Sequence, residues 1–348
     1  MDERLDFASC FTLPHLLDAA DECYRNVRWK RQAQGFMSRR LTNCAQLLDE
    51  LEGGDWEPAP VKRFTVCERG KDRDVKPVAF RDRVVQRCFC DHVLVPVVTA
   101  YVTDDCSAVL PGRGLASGRR ANPLCAYDRV RAHAAACPRG GWVGRFDFSS
   151  YFATIPHDRL LSILSRRIPD SRLMAFLATV IADDETDRPG IGLELGSHVS
   201  QLCATAYPTL LDRAVACSPG VTGYHRHMDD GIVFAADRQS CALAMQTARA
   251  MASSLGLTIN PRKTCSSPAS LPFVFCKMRF SRQADGSVRM NVRKQQSRRA
   301  CRHAKSVARR SAGHPELDID IAPVRASLEG YLQRGDADLS GLVKRTLG

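Results

Sequence analysis

The stretch YHRHMDDGIVFAAD, Tyr224–Asp237, constrains this chain more than any other. Two adjacent aspartates before a glycine are ordinarily a turn, because Asp bonds its own backbone and Gly accepts a left-handed conformation. Here apolar or aromatic residues stand on both sides and imply buried strands. Val221–Ala236 is therefore expected to be a hairpin joined at Asp230-Gly231. Two carboxylates held side by side on so rigid a platform repel each other unless a cation neutralises them.

A third acid closes the pattern. Trp142–Phe148, WVGRFDF, reads as a strand ending in Asp147. Taken alone, such an acid is as readily a strand-end cap or a salt-bridge partner. Three carboxylates from two strand elements can instead hold a pair of Mg²⁺ ions, which activate the attacking oxygen and stabilise the leaving one in phosphoryl transfer.

The rest of the composition narrows the partner. Fifty basic residues against 38 acidic ones give a net charge of +12, so a polyanion is the first partner to consider. The hydrophobic fraction of 44% is that of a globular chain with a sizeable core, not of a disordered tail. The longest apolar runs, His92–Val102 and Met174–Ala182, fall well short of the roughly 20 residues a membrane helix needs. MDERLDF carries acids early and lacks the pattern of a signal peptide. The 15 cysteines are scattered, with no CxxC anywhere, and read as reduced thiols of a cytoplasmic protein.

Along the chain, residues 13–52 read mostly as helix, with Leu41, Cys44, Leu47, Leu48 and Leu51 on one face. Two extended pieces meet at Gly70, and alternation on the second turns Lys71 and Arg73 the same way. Arg81–Val98 is expected to be a buried helix ending near Pro96, and 104–123 a loop. Helices are expected over Leu160–Arg166 and Ser171–Ala182. A loop at Gly192–Gly196 then opens a long helix to Val215. Another helix over Gln239–Leu255 precedes short strands at Leu257–Asn260 and Pro272–Phe280. Between Asp285 and Glu316 there is no acid. In that gap Arg298, Arg302, Lys305 and Arg309 are spaced 4, 3 and 4, one face of a helix that can track phosphates. The order is α+β.

Four segments in order then carry a resemblance: FDFSSYFATIPHDRLL, GLELGSHVSQLCATAYPTLLD, YHRHMDDGIVF and LTINPRKT. They resemble the palm motifs of reverse transcriptases. The upstream ERGKDRDVKPVAFRDRVVQRCFCDHVLVP is similar to the fingers motifs of the bacterial members, and FCKMRF to the primer-grip hairpin. The resemblance covers roughly residues 20–335. It implies a right-hand polymerase fold: an N-terminal helical segment over 1–60, fingers and a palm of antiparallel sheet plus helices over 61–280, and a basic helical thumb over 281–348.

The resemblance also implies roles. Asp147, Asp229 and Asp230 would be catalytic and, with Phe148, would hold two Mg²⁺. Phe152, five residues after Asp147, would gate the sugar against a 2′-OH. Lys71, Arg73, Gly196, Gln201 and Lys263 would bind the dNTP. His227, where Tyr is usual, would meet nucleic acid together with Arg298, Arg302, Lys305 and Arg309. The implied partners are template RNA, the primer–cDNA duplex and dNTPs. LGSHVSQ carries Leu195 and Gln201 where many reverse transcriptases have Gln and Pro. That GxxxSQ form, with Gly196 and Ser200, resembles the enzymes of diversity-generating retroelements, which use a small accessory protein. His227, and Lys277 where Gly is usual, depart from that group. A retron-like or phage-defence enzyme with a structured non-coding RNA stays open, as does a maturase-like RNA-binding scaffold.

Overall fold

The computed structural model describes residues 5–25, 27–68, 71–108, 123–182, 188–314, 320–337 and 340–347. Its contacts divide the chain into two compact units. One comprises 1–122, 148–214 and 248–260; the other comprises 123–147, 215–247 and 261–348.

The first unit is mainly helical. Leu13–Arg25, Arg31–Met37 and Arg40–Gly53 follow the expected apolar spacing, burying Cys44, Leu47 and Leu51. Leu41 falls outside that stripe and is 61% exposed. Phe176 organises an aromatic core, with Phe11, Trp56 and Phe89 ring centroids all about 5 Å from its own. A two-stranded antiparallel ribbon, β1 (Phe64–Glu68) and β2 (Lys71–Val75), stands on this unit.

Two prolines act differently from expectation. The helix that starts at Phe80 does not end near Pro96 but runs on to Tyr101. A π turn, Cys90–Leu94, closes the Val95 N–H onto the Cys90 carbonyl. Pro96 then falls in the first turn of the next segment, where its missing donor is tolerated. Pro208 does the opposite: the long helix expected to reach Val215 is broken into His198–Ala206 and Thr209–Ala216. The strand expected over Leu257–Asn260 reduces to a single bridge, Phe148 to Ile259.

The second unit is built on an antiparallel sheet of order β4-β5-β3-β6, where β3 is Trp142–Asp147, β4 Val221–His227, β5 Asp230–Ala235 and β6 Cys265–Pro268. The hairpin turns two residues earlier than Asp230-Gly231. Its loop is Met228-Asp229, with His227 opposite Asp230. Met228 takes the left-handed conformation there, φ 54°. Gly231 therefore serves the sheet and not the turn. A Cβ on it would lie 2.3 Å from the Phe146 ring, which packs across it. β6 was not apparent in the sequence, since CSSP has neither alternation nor β-branched residues.

A second antiparallel sheet joins β7 (Phe273–Phe275), β8 (Met278–Arg282) and β9 (Val288–Val292). The basic segment expected to be helical from 281 thus begins as strand, because Val288 and Met290 point into the core. That core is one cluster. Val143, Ile232 and Phe234 from the large sheet meet Phe273, Phe280 and Met290 from the small one, with Val130 from helix Pro123–Ala136. The chain then continues into helix Lys294–Gly313, which packs Cys301 and Ala304 against Leu328, Leu332 and Val343 from the two last helices. No helix among the described residues is long and apolar enough to cross a membrane.

Candidate active site

The register of the large sheet assembles the site. Asp147 ends β3 opposite Asp230, which begins β5, and Asp230 in turn faces His227 at the end of β4. The three lie on one rung, so their side chains project from one face. Asp229 occupies the turn itself. Strand alternation places Arg145, Ile232 and His225 two residues back on that same face. Ile232 and the neutral His225, with Phe275 6.1 Å from the His225 ring, form the apolar side of the site, while Arg145 adds a cation to it.

Two further contacts fix the turn. Arg226, fully buried within β4, donates from Nη1 to the Met228 carbonyl at 2.9 Å. Sequence reasoning missed it; the available signal was a lone arginine inside an otherwise buried strand. Tyr127 donates to the Cys276 carbonyl at 3.0 Å, tying the β7–β8 turn to helix Pro123–Ala136. That turn is Cys276-Lys277, with φ 43° and 70°. Both central residues of this two-residue hairpin are left-handed, the conformation that favours Asn-Gly. It brings the Cys276 Sγ to 3.9 Å from Asp230 Oδ2.

The electrostatics follow from the crowding. Asp147 is 6% exposed. Burial, then the charges of Asp229 and Asp147, push the Asp230 carboxyl up to about 7. Burial and the Asp147 charge raise Asp229 as well. Lys263 supplies the local cation: its Nζ donates to both Asp147 oxygens at 2.7 Å, and this contact raises the lysine pKa. Burial likewise raises the Cys276 thiol, with Asp230 and Asp229 adding to it. His225, enclosed by the sheet and near cationic neighbours, is pushed down to about 3 and is neutral.

An open cavity of about 450 Å³ lies against Asp147 and Asp230. Five cationic side chains line it: Arg145, Arg262, Lys263, Lys277 and Arg293. Arg145 is held by the Val274 carbonyl and donates to the Cys265 Sγ at 2.8 Å. Carboxylates at the floor and cations around them suit a phosphate-bearing ligand approaching a bound metal. The donor set fits Mg²⁺, since all three carboxylates offer hard oxygens and two of them carry charge that their surroundings resist. Among the described residues no three acidic, His or Cys side chains are already posed as a metal cage, and Asp147 faces the Lys263 ammonium instead.

The remaining sequence-predicted residues divide. Arg298, Arg302, Lys305 and Arg309 are exposed along helix Lys294–Gly313, while Cys301 and Ala304 of the same helix are packed. In the first unit, Phe148 is buried with its ring stacked 5.0 Å from Tyr151. Phe152 is half-buried on the short helix Tyr151–Thr154. Gly196 has φ 97° with open space where a Cβ would stand, so its backbone requires glycine. Ser197, not Gly196, caps the helix that follows; Ser200 is buried and Gln201 exposed. Lys71 and Arg73 lie two apart on β2, and their side chains fall outside the described ones.

No protein-family model matches the chain. Among curated proteins, Protein YkfC of Escherichia coli (strain K12) is 31% identical over 153 residues, which are 43% of this chain and 38% of that protein. Among solved structures, apo telomerase from Candida tropicalis aligns at TM-score 0.49 and 10% identity, over 65% of this chain and 47% of that one. A form of it truncated of the C-terminal domain aligns at 0.47 and 11%, over 64% and 53%. The chain thus spans well under two thirds of each relative, and likenesses this distant leave the argument to the geometry of the site.

Proposed function

We propose that the chain is an RNA-directed DNA polymerase that makes cDNA by nucleotidyl transfer at Asp147, Asp229 and Asp230. The observation that supports it is the rung that aligns Asp147 with Asp230 beside the Asp229 turn, on a buried sheet whose adjoining cavity is cationic. Two Mg²⁺ bound by these carboxylates would activate the attacking 3′ oxygen and stabilise the departing pyrophosphate. The protein's own part is to hold three oxygen donors in one place and keep their surroundings dry. Arg226 pins the turn from below, and the cations at the cavity attract and orient phosphates. In this reading Lys263 rests on Asp147 until the triphosphate offers it another anion.

By resemblance, Phe152 excludes the 2′-OH, while Lys71, Arg73, Gly196 and Gln201 complete the dNTP site. The exposed basic face of helix Lys294–Gly313 holds the template–primer duplex. The GxxxSQ spacing of Gly196, Ser200 and Gln201 is the feature that supports a role in a diversity-generating retroelement, with a small basic accessory protein as partner. His227 and Lys277 depart from the usual pattern of that group, and a retron-like or defence-associated enzyme is the alternative reading.

The test is primer extension by the purified chain on an RNA template with dNTPs and Mg²⁺. The reading predicts full-length cDNA that disappears on chelation of the metal. RNA binding without extension, under Mg²⁺ or Mn²⁺ and with candidate accessory partners present, would overturn it in favour of an RNA-binding scaffold.

A further inference from the structure

The first unit carries a second feature that the catalytic reading does not use. Trp29 is 73% exposed, more than any other large hydrophobic side chain among the described residues. Single exposed apolar residues are common and mean little. This one differs in how it is presented. It sits in a tight turn between helices Leu13–Arg25 and Arg31–Met37, where the Lys30 N–H closes onto the Val27 carbonyl at 2.9 Å. Val27 is buried and anchors the turn, and the Gln34 side chain donates to the Arg28 carbonyl at 2.9 Å. The Gln34 N–H then bonds the Lys30 carbonyl and starts the next helix. These bonds and the buried Val27 fix the base of the turn, and the indole stands outward from it.

Its neighbours are cationic. Arg28, Lys30 and Arg31 are exposed around it, and no acid lies between Glu22 and Asp49. Arg25 is taken by Glu22 at 2.6 Å, and Arg28 lies 6.0 Å from the Tyr24 ring. A flat aromatic face bracketed by donors of positive charge is what a single nucleic-acid strand needs. An unpaired base stacks on the ring while adjoining phosphates meet the cations. A duplex offers its phosphates but keeps its bases stacked inside, so it would use the cations alone.

We propose that Trp29, with Arg28, Lys30 and Arg31, forms a stacking platform for single-stranded nucleic acid, separate from the carboxylate site. The inference stands on the turn and its charge and does not depend on catalysis at Asp229.

Intrinsic fluorescence of the full chain tests it, because of the three tryptophans Trp56 is buried and Trp142 is half-buried beside Arg238. Titrating a 12-nucleotide single-stranded RNA should quench emission. The quenched fraction should vanish in Trp29→Ala, and Trp29→Tyr should recover part of the affinity that Trp29→Ala loses, read by competition with labelled RNA. Loss of one stacked base weakens binding by roughly 5- to 150-fold, from about 1–3 kcal/mol per base. An Asp229→Asn protein should quench like the wild type whether or not the chain is a polymerase. Single-stranded DNA of the same sequence tells whether the platform senses the sugar, and equal quenching would assign it to base and phosphate alone. Quenching that survives in Trp29→Ala, or that a duplex or vesicles of anionic lipid produce as strongly as the single strand, would overturn the proposal.

Discussion

Asp230 shows how one residue inherits its chemistry from its register. Its carboxyl is pushed up to about 7 because burial and two further carboxylates oppose its charge. Lys263 answers only part of that, through Asp147. Replacing Lys263 by Gln should destabilise the metal-free protein slightly, by no more than about 1 kcal/mol, because the lysine of the pair is about half exposed and its charge is screened by water. The same change should enlarge the rise in Tm on adding Mg²⁺, because a bound cation would then relieve more repulsion. Calorimetry with and without the metal checks this; an unchanged metal-induced shift would show that the lysine does not share the metal's place. Lys277 makes a second residue-scale case. Its φ of 70° is left-handed, as is that of Cys276. Lys277→Gly should stabilise the protein by about 0.5–1 kcal/mol in chemical denaturation, since a Cβ in that region is strained. The sequence already marked Lys277 as unusual for its motif, and the backbone now supplies the physical meaning of that departure.

At the scale of elements, β4 is buried on both faces, and His225 within it is held neutral with its pKa near 3. The unfolded value is about 6.5, so the unfolded chain binds the extra proton first. Stability from this residue is fully present above pH about 6.5 and drains as pH falls towards 3, at up to about 1.4 kcal/mol per pH unit. Asp229 and Asp230 act in the opposite sense, their raised values favouring the folded state as pH falls. The difference between wild type and His225→Gln isolates the histidine. It should shrink steadily from pH 6.5 to 4.5, and a pH-independent difference would contradict the buried neutral ring. The helix Lys294–Gly313 makes the other element-scale prediction. Neutralising Arg298, Arg302 and Arg309 removes about three phosphate contacts, which should flatten the slope of log K against log salt by roughly 2–3 units on duplex. An unchanged slope would mean this face does not touch the duplex.

Across the whole molecule, what was legible in the sequence was what periodicity and local chemistry specify. The acid pair between apolar runs gave the hairpin, and the 3-4 spacing gave helix Arg40–Gly53 and the basic helix. What was not legible depended on distant partners. The turn sits at Met228-Asp229 because Gly231 must yield space to Phe146, a contact from another strand. β6 exists because β3 offers it an edge, with Arg145 opposite Cys265. Arg226 and Lys263 acquire their roles only when the sheet brings Met228 and Asp147 to them. The three acids themselves could be named from sequence, but their convergence is a property of strand register. That convergence is the central claim, and single-nucleotide addition to a primer annealed to RNA tests it most directly, with wild type and Asp229→Asn measured alongside their affinities for the same RNA. The account predicts a fall in rate of at least about 10³-fold, roughly 4 kcal/mol in the barrier, with affinity within about threefold of wild type. Extension by Asp229→Asn at the wild-type rate would contradict it.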